Sequence, residues 1–190
     1  KASFDDIVTT SEYAANMGGS QIWLEVGEQM TMKDMLYAIA VGSANDAAVA
    51  VAEYLSGSEA NFAAEMNRRA QELGMKNTVF SNASGLPPRT LGLDAEHHSS
   101  AYDLALLSRH AVRVPHLIEL VSTHEYTMRP DTTGKPHLYT LNELLDRVLQ
   151  SGRRYGYPGL DGIKTGMTSE AGFCLAATAE RDGMRLISVV

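Results

Sequence analysis

The chain has 190 residues, 44% apolar and 21% charged, with 16 Lys+Arg against 23 Asp+Glu and a formal net charge of −7. This composition excludes disordered, collagen-like and cysteine-rich scaffolds and suits one domain of ordinary size, or most of one. An acidic chain without a Lys/Arg-rich run has no electrostatic footprint for nucleic acid.

Taken from the N-terminus, the first thirty residues read as short polar and extended pieces. Gly18-Gly19-Ser20 is turn chemistry, and Gln21 to Val26 alternates polar and apolar, which predicts a short strand. Thr31 with Asp34 fits a helix-capping pair before the apolar run Met35 to Val41. That run is the longest in the chain and is far below the ~20 residues of a membrane span. Any membrane attachment is therefore expected through segments outside this chain. Gly42-Ser43-Ala44 breaks the run, and Asn45 or Asp46 opens an Ala/Val-rich, buried helix that ends at Gly57. Ser58 caps a third helix, with Phe62, Met66, Ala70 and Leu73 on one face.

Residues 75–98 are rich in turn formers. A helix from Ser99 or Ser100 should turn Leu104, Leu107 and Ala111 inward, and Pro115 starts a short one. Thr123 to Met128 suits a strand, Pro130 to Pro136 a loop, and Leu141, Leu144, Leu145 and Val148 have helical spacing. Phe173–Ala179 and Met184–Val190 read as strands joined at Asp182-Gly183, the strongest short-range hairpin signal. Helices grouped over about 31–150, followed by antiparallel strands over about 163–190, predict an α+β layout rather than alternating βαβ units. The opening residues look like the inside of a loop and the chain ends within an apolar strand, so further segments are expected at both ends.

Two clusters can carry chemistry. Ser43 and Asn45, two apart on a tight turn, can both face one cleft, the first relaying a proton and the second offering a donor and an acceptor. The plainer reading is that they cap the second helix. Lys164-Thr165-Gly166 opens a strand with a fixed charge, a hydroxyl and a residue that admits close approach of a ligand backbone. An extended peptide could pair with that strand edge while Lys164 or Thr165 takes its carboxylate. His97-His98 point apart on regular structure and complete no zinc spacing, so no metal or other cofactor is expected. Cys174 has no second cysteine to pair with and is expected to be buried and inert. Arg153-Arg154 is expected to be solvated, and Arg185 to lie on a strand surface.

In this order, Ser43-Ala44-Asn45 on an Ala-rich helix and Lys164-Thr165-Gly166 on a strand are two of the three motifs of the penicillin-recognising serine acyltransferases. The chain resembles the D-alanyl-D-alanine carboxypeptidases of the low-molecular-mass penicillin-binding proteins. Leu73-Gly74-Met75-Lys76-Asn77-Thr78, Ser84-Gly85-Leu86 and the run Tyr157 to Thr168 carry the likeness as well. The resemblance implies the fold shared with serine β-lactamases, and removal of the terminal D-Ala from peptidoglycan stem peptides. It also implies β-lactam sensitivity and an extracytoplasmic location. It assigns catalytic roles to Ser43, Asn45 and Lys164, and substrate binding to Lys164, Thr165 and Gly166. The family's nucleophile lies in a Ser-x-x-Lys motif, and none of the five lysines here has Ser three positions before it. That motif is expected upstream, leaving this stretch unable to form an acyl-enzyme by itself. The rival readings are a serine β-lactamase, a non-catalytic wall-binding relative and a plain helical interaction domain.

Overall fold

A computed structural model describes residues 2–129, 137–148, 152 and 154–190. In chain order the elements are β1 (Ile7–Thr9), α1 (Glu12–Ala15), β2 (Gln29–Thr31), α2 (Met32–Gly42), α3 (Asn45–Ser56) and α4 (Glu59–Glu72). After a 3-10 turn at Pro88–Leu91 come α5 (Ala101–Ala111), α6 (Leu117–Val121), β3 (Glu125–Thr127) and β4 (His137–Tyr139). The C-terminal part holds β5 (Arg147–Val148), β6 (Arg154–Tyr155), β7 (Leu160–Thr168), β8 (Gly172–Arg181) and β9 (Met184–Val189).

Local chemistry sets the helix ends. Thr31 Oγ1 accepts from the Asp34 N–H at 3.1 Å and donates to the Asp34 carboxylate at 2.7 Å, closing the first turn of α2. Ser43 ends α2 in the left-handed conformation, φ 54°, and the Ala44 N–H returns to the Ala38 carbonyl at 3.1 Å. Ser58 caps α4 by accepting from the Asn61 N–H. Met35, Ala38 and Val41 of α2 and Ala47, Val49 and Ala50 of α3 pack with Val8, Ile22 and Leu24 into the main core. The small side chains of α3 let its neighbours approach closely, which is why most of its first two turns are buried.

β7, β8 and β9 form an antiparallel sheet in that order. Lys164 lies opposite Ala176, Thr165 opposite Leu175 and Gly166 opposite Cys174. β8 and β9 meet through Asp182-Gly183, both at positive φ (50° and 75°), as the Asp-Gly pair predicts. α6 packs on β7, and Gly162 is required there: a Cβ would lie 2.7 Å from Val121 Cγ2.

Several expectations need correction. Gln21–Val26 is not a strand. Its alternation is real, since Ile22 and Leu24 are buried, but Trp23 has φ 55°. The Ile22 and Leu24 N–H groups donate at 3.1 Å to the Asp46 carboxylate instead of to a neighbouring strand. Leu141 to Val148 is not a helix. Thr140 Oγ1 and Asn142 Oδ1 accept the N–H groups of Asn142 and Leu144, a local alternative to helical bonding. In α5, Leu104, Leu107 and Ala111 are only half-buried, and the fully packed residues are Asp103 and Ser108. Asp103 accepts from the Asn77 N–H and the Thr78 hydroxyl, pinning the turn after α4. Cys174 is half-buried rather than sealed. Arg185 is more than a surface residue. It makes a bidentate pair with Asp161, both bonds 2.8 Å, and also reaches Glu180 and Thr178, tying the three strands together. The expected loop at Pro130–Pro136 and the side chains of Arg153-Arg154 lie outside the described residues.

The Asp46 carboxylate is fully buried and takes three backbone donors, from Ile22, Leu24 and Ala47. Truncating it strands those donors, each costing about 1–3 kcal/mol when left unpaired. Asp46→Ala is therefore expected to lower unfolding free energy by about 3 kcal/mol or more. Urea titration of the two proteins measures this, and a loss within experimental error of zero would contradict the anchoring role.

Candidate active site

The sharp corner between α2 and α3 creates the first half of the site. Ser43 occupies the left-handed position at the end of α2, and Ala44 precedes α3 with no side-chain cap. The capping explanation for Ser43 and Asn45 therefore does not hold. The Ser43 hydroxyl is used elsewhere: Lys164 Nζ, from β7, donates to its Oγ at 2.9 Å across 121 residues of sequence. Lys164 Nζ also donates to the Thr165 carbonyl at 2.7 Å.

This ammonium is largely removed from water, and burial pushes its pKa below the ordinary lysine value. Two local features oppose that penalty. The acceptors just named supply hydrogen bonds to the charged form. Ser43 also stands at the C-terminal end of α2, where the unpaired carbonyls carry a partial negative charge. The result is a lysine held in place that releases its proton more readily than an exposed one.

Asn45 is buried, and both of its amide nitrogens are committed. The backbone N–H donates to the Ser20 carbonyl at 2.8 Å and Nδ2 to the Gly18 carbonyl at 2.8 Å. A carbonyl only accepts, so this bond fixes which end of the amide is nitrogen. Oδ1 is left with no partner among the described residues. Thr165 and Gly166 continue along β7, which among the described residues is an edge strand of its sheet. Among the described residues the Thr165 hydroxyl has no hydrogen-bond partner, and nothing lies within 4 Å of where a Gly166 Cβ would sit. A narrow crevice runs beside Lys164 and Thr165, walled by Val41, Val121, Leu141 and Ile163.

Of the residues singled out from sequence, Ser43 and Lys164 are thus in direct contact. Asn45 follows Ser43 on the corner, and Thr165 and Gly166 follow Lys164 along the strand edge. Sequence reasoning missed Asp46 as an anchor and Gly19 as a neighbour of the Asn45 amide. An acid in the first turn of a helix is ordinary, so only the bare backbone donors of a distant loop reveal its use. No group of three or more His, Cys, Asp or Glu gathers to hold a metal among the described residues.

The D-alanyl-D-alanine carboxypeptidase family (peptidase S11) matches residues 1–190. The chain belongs to that family. It is 45% identical over its whole length to the D-alanyl-D-alanine carboxypeptidase DacF of Bacillus subtilis, of which it covers 45%. Penicillin-binding protein 6B of Escherichia coli superposes with a TM-score of 0.81 at 34% identity, covering all of this chain and 56% of that one. Penicillin-binding protein D2 of Listeria monocytogenes, solved with ampicillin bound, gives 0.77 at 33% identity, covering 99% of this chain and 69% of that one. The α+β fold of the family's penicillin-binding proteins is thus shared. The chain spans less than half the length of the first of these relatives.

Burial of Lys164 has a consequence for stability. With its pKa lowered in the folded state, folding favours the neutral amine. The cost of burying the charge is fully present below the lowered value and disappears as pH rises toward the unfolded lysine value of about 10.4. Lys164→Met is therefore expected to be more stable than wild type at neutral pH, with the gap closing as pH approaches about 10. Chemical denaturation at a series of pH values reads this, and a constant gap would show that burial does not govern the residue.

Proposed function

We propose that the protein carrying this chain is a serine-type D-alanyl-D-alanine carboxypeptidase acting on peptidoglycan stem peptides, and that β-lactams acylate it. Residues 1–190 form part of its transpeptidase-like domain, with the nucleophilic Ser-x-x-Lys contributed by a preceding segment. The substrate implies work outside the cytoplasmic membrane. Among the described residues no helix is long and apolar enough to cross a membrane. The observation that carries the reading is the 2.9 Å bond from Lys164 Nζ to Ser43 Oγ in a chain of this family.

The chemistry follows from that bond. The upstream serine Oγ attacks the carbonyl carbon of the penultimate D-Ala, and the C–N bond to the terminal D-Ala breaks. The departing nitrogen needs a proton. Because Lys164 donates to Ser43 Oγ, the hydroxyl hydrogen of Ser43 is free to point away from Lys164 and toward that nitrogen. Lys164, with its lowered pKa, can restore the proton to Ser43. Asn45 presents Oδ1, an acceptor, to a substrate amide N–H or to the lysine of the nucleophile motif. The charge of Lys164 and the Thr165 hydroxyl receive the terminal carboxylate, and the open edge of β7 beside Gly166 accepts an extended peptide backbone. Water then releases the acyl group as the shortened peptide.

In the intact protein, Ser43→Ala and Lys164→Ala are each expected to slow acylation by a fluorescent penicillin by about a hundredfold or more. Residues 1–190 expressed alone should take no covalent label on denaturing electrophoresis. Labelling of that fragment, or wild-type acylation by the two variants, would overturn the assignment of roles.

A further inference from the structure

The Gly18-Gly19 turn before the extended arm touches the site. Gly18 gives its carbonyl to Asn45 Nδ2 at 2.8 Å. Gly19 follows at φ 78°, and a Cβ built there would fall 2.6 Å from Asn45 Nδ2 and 3.3 Å from Leu86 Cδ2. The two contacts differ in kind. Leu86 is half-buried, ends in a flexible side chain and can move by tenths of an ångström. The Asn45 amide has no such freedom, because its residue is buried, its N–H is tied to Ser20 and its Nδ2 to Gly18.

We propose that Gly19 is a positioning residue: its missing side chain leaves the space in which the Asn45 amide rests on the Gly18 carbonyl, so that Oδ1 is aimed at the substrate. This rests on the role given to Asn45 above and adds a residue to it. A side chain at position 19 displaces Nδ2 from Gly18. The amide then rotates and Oδ1 leaves its place, although the fold around it is kept. The same loop is held from below by the Asp46 bonds to Ile22 and Leu24, so the turn does not yield in place of the amide.

A glycine at positive φ resists substitution for backbone reasons alone, and Gly27 supplies the control. It has φ 81° and nothing within 4 Å of its built Cβ. The test uses the intact protein and compares Gly19→Ala, Asn45→Ala, the double variant and Gly27→Ala by thermal melting and by acylation rate with a fluorescent penicillin. Gly27→Ala is expected to melt lower and acylate at the wild-type rate. Gly19→Ala is expected to melt about as low and acylate about tenfold or more slowly. In the Asn45→Ala background, where the clashing amide is gone, adding Gly19→Ala should change acylation by less than about twofold. If Gly19→Ala alone does not fold, the double variant should fold, melting below Asn45→Ala by no more than Gly27→Ala melts below wild type. Wild-type acylation by Gly19→Ala, an equal further loss in both backgrounds, or a double variant that stays unfolded overturns the inference. Wild-type acylation by Asn45→Ala instead sinks the role of Asn45 itself, and this inference with it.

Discussion

The contact between Lys164 Nζ and Ser43 Oγ joins a helix corner to a strand edge that lie 121 residues apart in the chain. A buried ammonium is unfavourable unless it is hydrogen-bonded, so the surrounding fold must hold two acceptors in place around it. Ser43 satisfies this only because α2 ends in a left-handed turn. The Thr165 carbonyl satisfies it from the neighbouring residue of the same strand. Close packing of α6 on β7 keeps that strand near the end of α2. At Gly162 the distance is too short for any side chain, because Val121 fills the space. A glycine outside the left-handed φ region is thus fixed by a methyl group on a helix.

The second requirement is orientation of the corner itself. Ser43 and Asn45 can share a cleft only if the chain entering α3 is held against the loop before it. Asp46 does this with a charge rather than with a sheet. Its carboxylate, at the positive end of α3, gathers backbone donors from a loop that pairs with no strand among the described residues. The three acceptor bonds replace the water lost on burial. Removal of the carboxylate would leave polar backbone in the core, whereas removal of an apolar neighbour would leave only a void.

Much of this was legible in the sequence where the signal is local. The capping pair Thr31 and Asp34, the break at Gly42-Ser43-Ala44 and the Asp182-Gly183 turn each depend on residues within a few positions, and each forms as read. The two motif triplets point to one site because family resemblance supplies the long-range information that periodicity lacks. The failures have the opposite character. Gln21–Val26 has the alternation of a strand because one side faces the core, but alternation reports burial and not what receives the backbone N–H groups. Leu141 to Val148 has helical spacing, yet two side-chain acceptors capture the N–H groups a helix would need. In both cases the deciding partner is a polar side chain, and in the first it lies more than twenty residues away.

The same distinction explains Arg185. Read along one strand it is a surface position, since its neighbours alternate as expected. In three dimensions Asp161 stands on the other side of β8, and the planar guanidinium spans the middle strand to bind both carboxylate oxygens. The pair is partly exposed, so its contribution to stability is modest. Its geometric effect is larger. Asp161 begins the segment that carries Lys164 three residues later, so the guanidinium fixes the start of β7 while Val121 fixes its inner face. Among the described residues the outer edge of β7 is unpaired, and these two restraints act with its ladder to β8 to hold the ammonium at bonding distance from Ser43. An edge strand can remain open to a ligand and still position a charge only if it is restrained from the sides the ligand does not use.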